Sequence, residues 1–224
     1  MKFLYTETRQ CNESLTTINK TIEKMDGVKD KVAEGWNPAD VRMSFFKKPI
    51  TNKYPVREPV TLFQVYNYVR SREAMPETEA LRKIADHEAA RDYKGRSFDY
   101  VTPSGVFSYC SDSSLVKHSE VLCIDLDDLG ERVEELFQKL VDETMFKTLM
   151  LFRSPSGSGL KWFIHIDLAR CDHRTWFTAV RRYLMMTYTL TEKQVDPLCS
   201  NPSRACYLGH DPNAYLMTKL IEFF

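Results

Sequence analysis

The hydrophobic period changes repeatedly after residue 120, and that succession narrows the folds open to the chain. Val121-Leu122-Cys123-Ile124-Asp125-Leu126-Asp127 alternates as a strand does. Over about 129–143, Val133, Leu136, Phe137 and Leu140 fall at i, i+3, i+4 and i+7, one face of a helix. Strands are predicted over 147–153 and 160–167, joined by a turn rich in Ser, Pro and Gly at 154–159. Asp172 is placed to cap a long helix carrying Trp176, Val180 and Leu184, and a last short strand falls near 204–208. The order is βαββαβ, the split-βαβ arrangement of ferredoxin-like and RNA-recognition folds. Such a sheet covers one face with two helices and leaves the other open. The expected class is α+β, with this palm-like segment at 121–210 and an N-terminal α/β half at 43–120, together one domain over 43–224.

The earlier residues carry weaker signals. Residues 13–34 read as an amphipathic helix (Leu15, Ile18, Ile22, Met25), and 1–42 as an N-terminal helical extension. Thr61 is placed to cap a helix with Leu62, Val65, Tyr66 and Val69 on one face. A second helix is predicted over 77–94. Two short strands around Phe98 to Tyr109 join through the Pro103-Ser104-Gly105 turn.

Composition removes several function classes. The apolar runs are too short to cross a bilayer. The first seven residues, Met1 to Glu7, lack the apolar core and cleavage site of a signal peptide, so a soluble cytoplasmic protein with no membrane partner is expected. The six cysteines are scattered without a Cys-x-x-Cys pair, which argues against a zinc module and a disulfide framework. Lys plus Arg equals Asp plus Glu at 31 each, so whole-chain charge predicts no nucleic-acid affinity. Locally the balance differs. Arg42, Lys47, Lys48, Lys53 and Arg57 lie in one stretch without an acidic residue, interleaved with Phe45, Phe46 and Tyr54. That composition suits a surface tracking a single strand, and equally a solvated arm packing its aromatics inward.

Three polar clusters carry the chemistry. Asp125 and Asp127 share one strand face about 6–7 Å apart, an arrangement that favours a cation between them. Mg²⁺ or Mn²⁺ takes one or two carboxylates plus substrate phosphates, and Asp196 is placed to add a third if the final strand lies beside the first. A D-x-D alone also occurs often on solvated surfaces. Asp128 more often serves as a helix cap. The turn Ser154 to Gly159 does not match the Walker pattern. It reads either as a hairpin turn whose glycines let N–H groups approach an anion, with Lys161 following, or as a plain hairpin with an exposed lysine. On the strand 160–167, Leu160, Trp162, Ile164 and Ile166 are assigned to the helix-covered face. Lys161, Phe163, His165 and Asp167 are assigned to the open one, with Asp125 and Asp127. Arg204 reads as a phosphate ligand or as the partner of a nearby carboxylate. Arg174 and Arg181 share a helical face, more readily a solvated one than a nucleic-acid track.

Taken together, these clusters resemble the archaeo-eukaryotic primase superfamily, and most closely the VirE amino-terminal-like domain of bacterial primase-helicase proteins from mobile elements. The resemblance rests on Val101 to Phe107 (VTPSGVF), His118-Ser119, Cys123 to Asp128 (CIDLDD), Ser154 to Lys161 (SPSGSGLK), and Asp196 through Ser203-Arg204 to Asp211-Pro212. It runs from about 44 to 215. It implies that Asp125, Asp127 and Asp196 bind Mg²⁺ or Mn²⁺ and are catalytic. Ser156, Gly157, Ser158, Gly159, Lys161, His165 and Arg204 would then form the nucleotide- and phosphate-binding set. Lys161 stands where the superfamily usually has histidine; it keeps a phosphate-binding charge but cannot act as a neutral imidazole, and His165 is the substitute on the same face. The implied function is primase-type nucleotidyl transfer from nucleoside triphosphates on a single-stranded DNA template, in mobile-element replication. No ATPase motif lies within these residues, so a helicase or ATPase domain or protein is the partner expected. The rivals are a non-catalytic nucleic-acid- or nucleotide-binding module and a two-metal nuclease using the same aspartates.

Overall fold

The structure, a computed structural model, describes residues 36–218. The helix expected over 13–34 lies outside them. Within this range the chain is mixed α+β, and every strand pairing is antiparallel. Among the described residues no helix is long and apolar enough to cross a membrane.

Strand β1 (Arg42–Phe46) is buried at four of its five residues. It pairs with β2 (Val60–Thr61), and Thr61 then caps α1 (Leu62–Arg70). The cap is reciprocal. The Thr61 hydroxyl accepts from the Gln64 amide at 3.1 Å, and the Gln64 side chain accepts from the Thr61 amide at 2.8 Å. Leu62, Val65, Tyr66 and Val69 form the buried face, as their spacing predicts. The helix expected over 77–94 is two helices, α2 (Met75–Arg82) and α3 (His87–Ser97). The break falls where Asp86 turns its carboxylate onto the Ala89 amide at 2.8 Å and starts a new helix.

Strands β3 (Tyr100–Thr102) and β4 (Gly105–Phe107) flank the Pro103-Ser104 turn, but they do not pair with each other as expected. β3 lies between β1 and β9 (Cys206–Tyr207), giving a first sheet ordered β2-β1-β3-β9. β4 instead pairs with β5 (Leu115–His118). Gly105 permits that pairing, since a Cβ there would sit 2.5 Å from the Lys117 carbonyl oxygen.

The second sheet holds β6 (Val121–Leu126), β7 (Thr148–Arg153) and β8 (Leu160–His165), with β10 (Tyr215–Leu216) at its far edge; the order is β10-β7-β8-β6. Helices α4 (Val133–Val141) and α5 (His173–Thr187) pack against it. Asp172 caps α5 as predicted, accepting from the Thr175 amide at 2.7 Å.

Two expectations about this sheet are overturned. The final strand near 204–208 exists, but it joins the first sheet by pairing with Tyr100 and Val101. The place beside β6 is taken by the 194–196 segment, where Leu126 bridges Val195. The open face is not open either. All six residues of β6 are buried, and on β8 Lys161 and Phe163 are buried along with Trp162. Cys206 of β9 lies against Cys123 and near Lys161, so the first sheet covers the side left exposed by the helices. Cys123 and Cys206 are buried thiols, as their strand positions predict.

Candidate metal and phosphate site

The site forms where the C-terminal end of β6 meets the 194–204 segment. Register places Asp125 of β6 opposite Lys161 of β8. Both are buried, 9% and 4% exposed, and the Lys161 ammonium makes an ion pair with Asp125 Oδ2. Burial alone would push the lysine pKa down; Asp125, with Asp127 behind it, outweighs this and raises it, so Lys161 stays charged. Oδ1 of Asp125 is buried and accepts no hydrogen bond. An ionised oxygen left so costs more than the ~1–3 kcal/mol of a neutral orphan, and such a position marks where an unseen cation or donor fits.

Asp196 reaches the same place by main-chain bonds. Its amide donates to the Asp125 carbonyl at 3.0 Å, while the Asp127 amide donates to the Gln194 carbonyl at 2.9 Å. Asp196 Oδ1 accepts from the Leu198 amide at 2.9 Å and caps the short 3₁₀ turn Pro197–Ser200. That turn carries Cys199 inward. Donor atoms of Asp125, Asp196 and Cys199 all lie within 4.8 Å of one another. Burial, reinforced by Asp125, raises the Cys199 pKa strongly, so the sulfur is a protonated thiol and a poor ligand for a hard ion. Asp127, half-buried, has its pKa raised by burial first and then by Asp125, with Asp196 adding to it. Three carboxylates therefore share one neighbourhood. The oxygens that meet within 4.8 Å are those of Asp125 and Asp196, and two carboxylates, one with an orphaned oxygen, suit Mg²⁺ or Mn²⁺; Asp127 lies nearby but outside that group.

Three cations offset the three carboxylates. Lys161 holds Asp125. The Arg204 guanidinium donates to Asp196 Oδ2 at 2.5 Å, while its Nε is buried without an acceptor. Lys94 of α3 is the third, its pKa lowered by burial and then by Lys161. Its ammonium lies 5.7 Å from the centre of the Tyr207 ring. The cluster is formally neutral, so a divalent ion alone would leave it at about +2, a charge that bound phosphate oxygens would balance.

Several sequence assignments change. Lys161 is not an exposed lysine reaching for phosphate; its position opposite Asp125 locks it into the pair. His165 does not belong to the site. It stands opposite Val121, four residues along β8 from Lys161, or about 13 Å. There it faces Glu120 at 3.6 Å, and burial lowers its pKa. The turn glycines have structural reasons. Gly157 adopts φ +82° beneath Arg82, and a Cβ on Gly159 would lie 2.2 Å from the Leu126 carbonyl oxygen. That close approach sets the turn beside Leu126 and Asp127. Ser156 bridges Ser154 and Ser158 through hydroxyls at 3.0 and 3.1 Å.

Other residues were missed. Lys94 carries no local signal in a polar helix. Cys199 looked like one of several scattered cysteines. Arg181, read as solvated, donates to the carbonyls of Val195 at 3.3 Å and Glu192 at 2.9 Å and so anchors the segment that carries Asp196. The Glu192–Arg204 stretch is mostly irregular, which is why period alone did not place it.

Fold and site together define an α+β protein with antiparallel sheets and a half-buried, charge-balanced cluster of three carboxylates and three cations. A family model described as the BT4734-like, N-terminal domain matches residues 93–216, and the chain belongs to that family. The matched range contains every residue placed in the cluster. No curated protein and no solved structure matches the chain.

Proposed function

We propose that this chain is a metal-dependent nucleotidyltransferase of the archaeo-eukaryotic primase type, with the β6–β8 sheet as its palm. It would extend a nucleic-acid strand on a single-stranded DNA template from nucleoside triphosphates. The observation that carries the reading is the meeting of Asp125 and Asp196 beside an orphaned, buried carboxylate oxygen, with Asp127 close enough to feel both charges. A strand, the segment after it and a distant 3₁₀ turn meet there through main-chain bonds, which a merely solvated D-x-D does not require.

The carboxylates would hold Mg²⁺ or Mn²⁺, which when bound lowers the pKa of the attacking 3′-hydroxyl and offsets charge on the phosphate oxygens. Arg204, whose Nε lacks an acceptor, and Lys94 would bind the triphosphate. Lys161 serves by holding Asp125 in place rather than by gripping phosphate. The hydroxyl oxygen bonds to the α-phosphorus, the bond to the β-phosphate oxygen breaks, pyrophosphate leaves and the proton passes to solvent. In mobile-element replication, strand separation would fall to a helicase or ATPase partner.

The ion pair between Lys161 and Asp125 favours a second reading, a nucleotide- or nucleic-acid-binding module that has kept the site and lost the chemistry. One assay separates these readings from the two-metal nuclease: labelled nucleotide on a single-stranded template with Mn²⁺, comparing the full chain with Asp196→Asn. Incorporation that falls at least a hundredfold in the variant supports nucleotidyl transfer; this corresponds to about 3 kcal/mol of transition-state stabilisation. No incorporation by the unsubstituted chain supports the binding module. Metal-dependent loss of a labelled strand without nucleotide supports the nuclease.

A further inference from the structure

The stretch from Lys47 to Arg57 carries an aromatic pair that the core does not use. Tyr54 is 71% exposed and Tyr109 39%, and their rings meet edge to face at 5.1 Å. Rings so exposed contribute little by burial. Yet their backbone is pinned on several sides. The Cys110 amide donates to the Lys53 carbonyl at 2.9 Å, the Tyr100 hydroxyl to the Asn52 carbonyl at 2.6 Å, and the Val56 amide to the Phe45 carbonyl at 2.8 Å. The two rings thus stand on main chain that is fixed around them before any ligand arrives, and such preorganisation reduces the entropy lost on binding.

The surrounding charge selects the ligand. Lys47 pairs with Asp99, Lys48 with Glu77 and Arg57 with Glu58, whereas Lys53 makes no ion pair among the described residues. Its ammonium lies 6.0 Å from the centre of the Tyr100 ring. The residues that follow Tyr109 also contact the segment leading to Arg204. Cys110 Sγ contacts the Ser203 carbonyl at 3.5 Å, and Asp112 accepts from the Ser203 amide and hydroxyl at 3.0 and 2.6 Å. Ser203 precedes Arg204, which holds Asp196.

We propose that Tyr54 and Tyr109, with Lys53, form a base-stacking platform for single-stranded nucleic acid leading into the Asp196–Arg204 edge of the site. The placement rests on the nucleotidyltransferase reading for its purpose and on the exposed, pinned rings for its chemistry. Every base offers a π-face to such rings, so binding would be strong on any sequence and sensitive to salt. A protein partner fits less well, because two rings and Val56 fall far short of the ~800 Å² a stable interface covers on each side.

The test is fluorescence anisotropy of a labelled single-stranded oligothymidylate with the full chain, in EDTA. The platform predicts that Tyr54→Ala/Tyr109→Ala weakens binding at least fivefold, that Tyr54→Phe/Tyr109→Phe stays within twofold, and that Lys53→Gln lowers the salt dependence by nearly one ion. Thermal unfolding of each variant checks that the fold is kept. No binding by the unsubstituted chain, or unchanged binding by the alanine pair, overturns it. The two proposals fail separately. Ring-dependent binding without nucleotide incorporation leaves the platform standing, and incorporation with ring-independent binding leaves only the enzyme.

Discussion

The backbone amide of Asp196 donates to the carbonyl of Asp125 across 3.0 Å, so the last carboxylate of the cluster is fixed beside the first by main chain alone. Replacing the Asp196 side chain should therefore leave the geometry intact. Asparagine keeps an oxygen for the Leu198 amide but loses the charge facing Arg204 and turns its NH₂ group toward that guanidinium. Asp196→Asn should cost about 1–2 kcal/mol of folding stability, between the values for an exposed and a buried ion pair. Urea unfolding of both forms measures this, and a loss several times larger would show that the residue is structural.

Asp125 should behave in the opposite way. Removing it leaves Lys161 buried without a counter-charge, and breaking one side of such a pair costs about 3–5 kcal/mol. Asp125→Ala should unfold at much lower urea than the unsubstituted chain. The double change Asp125→Leu/Lys161→Met removes both charges and should recover most of the loss. A double variant no more stable than Asp125→Ala would contradict the pair.

A chain of histidines links the site to pH. The Glu120 amide donates to His118 Nδ1 at 2.9 Å, which leaves the proton on Nε2. That nitrogen donates to His173 Nδ1 at 3.2 Å, and His173 Nε2 to the Cys199 carbonyl at 3.4 Å. Burial, and then the neighbouring His173, lower the His118 pKa from 6.5 to about 4. The unfolded chain therefore takes up the proton first as pH falls. Stability is full above pH 6.5 and is lost between about 6.5 and 4, by at most about 3 kcal/mol from the shift and about half that after solvent screening. Urea midpoints at pH 7.5 and 5 measure the loss, and His118→Asn should reduce it. A pH-independent midpoint would sink the assignment.

Two glycines near the site should respond differently to a methyl group. A Cβ on Gly159 meets the Leu126 carbonyl oxygen at 2.2 Å, where neither strand can yield easily. Gly130 has φ +57° but open space around it. Gly159→Ala should cost more than about 2 kcal/mol, as overpacking does, and Gly130→Ala about 1 kcal/mol, the cost of a left-handed backbone. Comparable melting temperatures would refute the close approach at Leu126.

The regular elements after residue 120 were legible because their periods are clean. The Val121–Leu126 alternation, the Val133–Leu140 helical stripe and the Asp172 cap all stand where spacing puts them. The failures share one cause: pairing between strands distant in sequence leaves no local mark. Nothing in Cys206-Tyr207 says that it joins Tyr100 rather than Asp125, and so nothing said that β9 would cover Lys161. The same covering turned a lysine that read as exposed into a buried counter-ion. Asp125, Asp127 and Asp196 were legible as residues; what brings Asp196 to Asp125 is a main-chain bond that side-chain patterns do not encode. Lys94 reaches the cluster, and Arg181 the segment that carries Asp196, from helix faces that read as ordinary solvated surface.

Binding of Mn²⁺ followed by electron paramagnetic resonance, with and without a non-hydrolysable nucleoside triphosphate, tests the carboxylate cluster most directly. Its formal neutrality leads to weak binding of the ion alone, at least tenfold tighter binding with the triphosphate present, and loss of that gain in Asp196→Asn. Equal Mn²⁺ binding by the unsubstituted chain and Asp196→Asn in the presence of the triphosphate would contradict it.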